Sequence, residues 1–169
     1  MKKAISLIIL ISSLALCSCW NRREIDKLGI LDSIVYDTNE DNIRVICEFL
    51  NPSSMGQEAQ GNSEQKVVFS AVGRTGPEAL RNITANFDER VFTSFVNVRF
   101  LTEKLAKMRY DEIHDFIIRD HEVRGNTFLV VLKGENTDKL YSCNVQLSET
   151  VGGYVRNILK AQSMLTSKS

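Results

Sequence analysis

The chain has 169 residues, of which 43% are hydrophobic and 25% charged, with 21 basic and 21 acidic side chains. That length suits one domain with a sizeable core, and a composition without repeats, heptads or low-complexity tracts excludes a fibrous or long disordered chain. The balanced charge gives no electrostatic pull toward nucleic acid, which is not expected as a partner.

Lys2 and Lys3 precede an apolar run from Ala4 to Leu16, closed by Cys17, Ser18 and Cys19 before the polar Asn21, Arg22 and Arg23. A basic start, a greasy centre and small residues form an export signal, and the run falls short of the roughly 20 apolar residues of a spanning helix. Leu16-Cys17-Ser18-Cys19 further reads as a signal peptidase II site. The residue before the modified cysteine must be small, so Ser18 selects Cys19 over Cys17, and residues 1–18 form a lipoprotein signal peptide. A diacylglyceryl thioether on Cys19 supplies the two hydrocarbon chains that stable anchoring requires. An ordinary secretory signal with incidental cysteines is the competing reading. Trp20, Arg22 and Arg23 follow the lipid. An indole suits the membrane interface and cations suit anionic head groups, the alternative being a packed ring and solvated arginines.

Leu28 to Asp37 and Ile43 to Leu50 are β-branched and apolar, separated by the polar Thr38 to Asn42, and are expected to form a β-hairpin. Asn51 to Gln65, rich in Ser, Gly, Gln and Asn, is expected to be an exposed loop, and Lys66 to Arg74 a third strand. Thr75-Gly76-Pro77-Glu78 has capping-box spacing ahead of Leu80, Ile83 and Phe87, which predicts a helix to about Asp88. Val91 to Leu101 is expected to be one interior strand. Leu105, Met108, Ile113, Phe116 and Ile117 at helical spacing predict one broken helix or two short ones over residues 102–119, covering one sheet face. Phe128 to Leu132 is expected to be a short buried strand, and Ser148 to Leu165 an amphipathic helix whose stripe of Val151, Val155, Ile158, Leu159 and Leu165 needs a cover. The fold class is thus α+β, a mixed sheet of about five strands with three to four helices packed on it.

Chemistry-bearing constellations are sparse. His114 and His121 have no cysteine or carboxylate pattern around them that matches zinc spacing, so no metal is expected. Gly73-Arg74-Thr75-Gly76 lacks the lysine and spacing of a phosphate cradle, and there is no serine-nucleophile elbow. Asp111, Glu112, Asp115 and Asp120 crowd one predicted helix, where a solvated face is the ordinary explanation. No catalytic residue, no enzyme activity and no cofactor are expected. Cys47 and Cys143 lie in strand-like segments and either bridge or remain as two buried thiols.

The segment Cys19-Trp20-Asn21-Arg22-Arg23-Glu24-Ile25, followed by Leu28-Gly29-Ile30 and Tyr36-Asp37, resembles the mature start of the C-subunit lipoproteins of spore nutrient germinant receptors. The resemblance continues through Glu48 to Pro52, Ser70 to Thr75, Glu78 to Asn82 and the charged stretch that ends Phe116 to Arg124. It covers the mature chain, residues 19–169, and corresponds to the family's N-terminal domain alone. Members usually carry two further C-terminal domains, so this chain is expected to be a shortened copy. A second departure is Ser94-Phe95-Val96-Asn97, which stands where the family tends to carry a histidine.

What the resemblance implies is a lipid-anchored subunit on the outer face of the spore inner membrane. It would act in germination through contacts with the integral-membrane A- and B-type receptor subunits, without catalysis. Arg119, Asp120, Glu122 and Arg124 match the family's charged stretch and form either a partner-facing patch or an intramolecular ion network. The alternative function is an extracytoplasmic solute-binding or envelope-scaffolding lipoprotein.

Overall fold

The structure is a computed structural model and describes residues 28–50, 66–85, 90–120, 127–134, 136–143, 148 and 150–166. The expected hairpin is present. Strand β1 (Leu28–Asn39) pairs antiparallel with β2 (Asn42–Leu50) through a two-residue turn in which Glu40 has a φ of 55°. Strand β3 (Lys66–Gly73) adds antiparallel to β2. The long loop expected between β2 and β3 lies outside the described residues.

Helix α1 (Gly76–Ala85) starts at the expected capping box. The Thr75 hydroxyl accepts the Glu78 N–H at 3.3 Å, while the Glu78 carboxylate reaches back one residue further than a standard box, to the Arg74 N–H at 2.9 Å. The helix expected to run to about Asp88 is described as far as Ala85.

The single strand expected over Val91–Leu101 is instead two. Strand β4 (Arg90–Phe92) runs parallel to Leu28–Ile30, a 3-10 turn occupies Thr93–Phe95, and β5 (Val98–Thr102) resumes the parallel pairing at Ser33–Tyr36. The break has a cause in β1, whose register with β2 shifts between Leu31 and Ser33. This bulge leaves Asp32 unpaired in the β1–β2 ladder, and the Asp32 carbonyl accepts the Asn97 N–H at 2.7 Å. Periodicity could not show this, because both halves carry the same apolar pattern.

Helix α2 (Glu103–Arg119) is the broken helix read from the sequence: Arg109 sits inside it at φ −141° and ψ 28°. From the kink the Arg109 guanidinium pairs with Glu112 and donates to the Asp41 carbonyl at 3.2 Å and the Arg74 carbonyl at 3.0 Å, fastening the helix to two turns. The chain returns in β6 (Phe128–Leu132), parallel to β5. Helix α3 (Asp138–Ser142), which the sequence reading did not anticipate, and α4 (Val151–Thr166) complete the described elements.

The sheet order is β3-β2-β1-β5-β6, with short β4 beside β1, which gives the expected α+β arrangement around a mixed sheet. Alternation along the strands builds two cores. Ile34, Tyr36, Val45, Cys47 and Leu101 face Ala79, Ile83, Leu105 and Ile113 of α1 and α2. Val35, Ile46, Val98 and Phe100 face Tyr141 of α3 and Val151 of α4. Full burial of each large aliphatic or aromatic side chain contributes about 1.5–3 kcal/mol, so both faces stabilise the sheet.

Two burial expectations need correction. Strand β6 is half-exposed rather than buried: it is the last strand in the order, and Leu129 and Val131 on its first-core face are 40% and 51% exposed. Cys47 is buried but Cys143 is exposed, and both are free thiols.

Candidate functional site

The main buried polar cluster lies where α4 meets the sheet. Thr150 caps that helix, and the first three helical N–H groups of any helix need partners from outside it. Here the sheet supplies them. Glu48, fully buried on β2, accepts the Val151 N–H at 3.0 Å and the Gly152 N–H at 3.1 Å. Asp32, on the β1 bulge, shares the Gly153 N–H at 3.0 Å with the Thr150 hydroxyl at 3.1 Å. Negative side chains at the positive end of a helix dipole are favoured, and in a buried setting this fixes the helix on the sheet.

Glu48 has further partners. The Ser33 hydroxyl donates to it at 2.8 Å, and the Lys66 ammonium lies 3.8 Å away. Because Ser33 has a single proton, Tyr141 must donate in its 2.9 Å contact with Ser33. Burial pushes the Tyr141 phenol well above its ordinary range. Tyr141 thereby ties α3 to the same cluster. The Arg44–Asp138 ion pair, closest at 2.7 Å, and the Thr137 hydroxyl donating to Asp37 at 3.0 Å hold the helix from its other end.

Gly152 makes the approach possible. A Cβ there would collide with the Asp32 carboxylate and come within 2.7 Å of the Ser33 Cβ.

Beside this cluster is a cleft of about 400 Å³ whose walls include Asp32, Ser94, Asn97 and Arg156 together with the apolar Leu50 and Phe95. The Asn97 carboxamide nitrogen donates to Asp32 Oδ1. Ser94 to Asn97 therefore forms one wall.

A second polar group is buried in the first core. Arg99 is 2% exposed, donates to the Tyr36 hydroxyl at 2.9 Å, and has no partner for its Nε. Burial raises the Tyr36 phenol to about 12, against the opposing pull of Arg99, and raises the Cys47 thiol as well. A thiol so raised is a poor nucleophile.

Of the residues singled out in the sequence, Cys19, Trp20, Arg22, Arg23, Glu122 and Arg124 lie outside the described residues, as does His121. Arg119 pairs with Asp115 on its own helix at 2.7 Å, and the Asp120 N–H caps α2 through the Phe116 carbonyl at 3.0 Å. His114 stacks on Tyr110 with ring centroids 5.2 Å apart. No group of side chains suited to a metal ion occurs among the described residues, and none of their helices is long and apolar enough to cross a membrane.

Residues 21–169 match the family model described as the spore germination protein N-terminal domain. The chain belongs to that family. Among relatives, spore germination protein KC of Bacillus subtilis (strain 168) is 30% identical over 148 residues, which is 82% of this chain and 36% of the relative. Spore germination protein B3 of the same organism is 31% identical over 127 residues, 74% of this chain and 33% of its own length. Spore germination protein YndF, also from that organism, is 25% identical over 168 residues, 83% of this chain and 42% of the relative. The chain thus spans about a third to two-fifths of the length of these spore germination relatives, and no solved structure matches it. A germination-related role follows from membership of the spore germination N-terminal domain family.

The sequence reading missed the cluster at α4. Its signal was an acidic residue inside each strand of the apolar hairpin, Asp32 and Glu48, together with Thr150 ahead of Gly152-Gly153. A carboxylate in a strand core implies donors aimed at it from another element, and a threonine before two glycines suits a helix start seated close to a sheet.

Proposed function

We propose that the protein is a membrane-anchored, non-enzymatic lipoprotein subunit of a nutrient germinant receptor. It acts at the outer face of the spore inner membrane through contacts with integral-membrane A- and B-type subunits. The observation that carries this reading is that the family match begins at residue 21, directly behind the lipidation motif at Cys19. A two-chain lipid on Cys19 holds the domain at the bilayer and raises its effective concentration near membrane partners, so that modest protein contacts suffice.

Trp20, Arg22 and Arg23 serve as the membrane-proximal contact, and Arg119, Asp120, Glu122 and Arg124 as the patch toward a partner subunit. Arg119 and Asp115 are 79% and 59% exposed as side chains, so their ion pair is weak in water and opens to a partner at little cost.

Fractionation of spores tests the tether. The native chain sediments with the inner membrane and yields an N-terminal peptide beginning at a diacylglyceryl-modified Cys19, whereas Cys19→Ala releases the protein to the soluble fraction. Retention of Cys19→Ala in the membrane at the native level would contradict a lipid tether.

A further inference from the structure

The cleft beside α4 holds opposite charges that do not neutralise each other. Arg156 is half-buried in its wall, yet among the described residues its guanidinium has neither a hydrogen bond nor an ion pair, and the Ser94 hydroxyl has no partner either. A partly desolvated guanidinium without an anion is a standing cost that a bound carboxylate would remove.

Asp32 in the same cleft is only 3% exposed and is fixed by the Gly153 N–H and the Asn97 carboxamide. Each of its oxygens takes one of those donors and keeps one further lone-pair direction. Asn97 spends its nitrogen on Asp32, which leaves its carbonyl oxygen as a second acceptor beside the carboxylate. Phe95, 47% exposed, and Leu50 supply apolar surface in the same space. About 400 Å³ is at the small end of ligand cavities, which run from roughly 300 to 1,000 Å³.

We propose that this cleft binds a small zwitterion of the α-amino-acid type. Its carboxylate lies on Arg156 and Ser94, its ammonium on Asp32 and the Asn97 carbonyl oxygen, and its apolar side chain against Phe95 and Leu50. Asp32 then has two roles, holding the first turn of α4 and receiving the ligand's cation. Because Arg156 is carried one turn further along the same helix, ligand binding is coupled to how α4 seats on the sheet. The inference stands on the cleft alone: failed binding would leave the receptor reading intact, and failed germination assays would leave the cleft intact.

The test is titration calorimetry on the full chain in detergent with L-alanine, L-valine, L-leucine and L-phenylalanine. Two truncated analogues of leucine serve as controls, 4-methylpentanoate without the amine and 3-methylbutylamine without the carboxylate. The expected result is saturable binding of at least one amino acid and, for leucine, about tenfold or greater weakening when either charged end is missing. Arg156→Gln weakens the bound amino acid by about tenfold and Ser94→Ala by less, while Tm is unchanged because neither group holds the fold. Asp32 is left intact because its loss would unseat α4. No saturable binding of any of the four, equal binding of the single-charge analogues, or native affinity in Arg156→Gln would each overturn the proposal.

Discussion

Glu48 on the second strand accepts the Val151 N–H of the last described helix at 3.0 Å, joining residues 103 positions apart in sequence by a bond buried on both sides. With the Gly152 N–H and the Ser33 hydroxyl on its other oxygen, the carboxylate leaves almost no donor at the helix start without a partner.

Removing that charge weakens all three bonds. Glu48→Gln keeps the volume but sets an amide N–H₂ against at least one of the donors, and is expected to destabilise by about 2–4 kcal/mol. Urea unfolding with an unchanged m-value measures it, and amide exchange should show the protection of Val151 to Val155 falling first.

The two glycines that follow should respond unequally to alanine. Gly152→Ala drives a methyl into Asp32 and Ser33 of the strand, so that helix or strand must shift, at about 2 kcal/mol or more. Gly153→Ala meets the hydroxyls of Ser148 and Thr150 at 2.8 and 2.9 Å, ends of side chains that rotate away, and should cost less. Thermal melts of the pair check the order.

Alkaline pH should unfold the protein through its buried phenols. Burial raises Tyr36 from 10.0 to about 12, so its neutral form is favoured in the folded state and the corresponding stability is complete below pH 10. As pH climbs from 10 to 12 the unfolded chain ionises first and the contribution is lost, about 3 kcal/mol for a two-unit shift. Tyr141 acts in the same direction. Ultraviolet titration of tyrosinate in the native and urea-unfolded protein measures the gap, which Tyr36→Phe should narrow.

Arg99 and Tyr36 should be coupled, since they share a 2.9 Å bond inside a core and the guanidinium has a further unpartnered nitrogen. Arg99→Met and Tyr36→Phe are each expected to cost about 1–3 kcal/mol, and the double variant less than their sum by about 1 kcal/mol. Equilibrium unfolding of the four proteins gives the cycle.

Locally encoded features were legible in the sequence. The hairpin, the box at Thr75 to Glu78, the break in the long helix and the run that became β6 each follow from alternation, capping chemistry or helical spacing within a short window. Features set by contacts between distant segments were not. The 3-10 turn before β5 depends on a bulge more than sixty residues earlier, and the short helix α3 is held by Arg44, Asp37 and Ser33 rather than by its own pattern. The exposure of Leu129 and Val131 depends on β6 being an edge, which a continuous apolar run cannot reveal. Val151 of the α4 stripe is buried as its spacing implied, whereas Ile158 and Leu165 are 40% and 74% exposed toward the far end. The family itself was legible, because the residues behind Cys19 and through the strands match it; the cleft was not, since Asp32, Asn97 and Arg156 meet only after folding.

The most direct test of the receptor role is nutrient-triggered germination of spores lacking this gene, compared with deletions complemented by the native gene and by Cys19→Ala. The account predicts loss of response to one set of nutrients, restored by the native gene and poorly by Cys19→Ala. Germination unchanged by the deletion across all nutrients tested would contradict it.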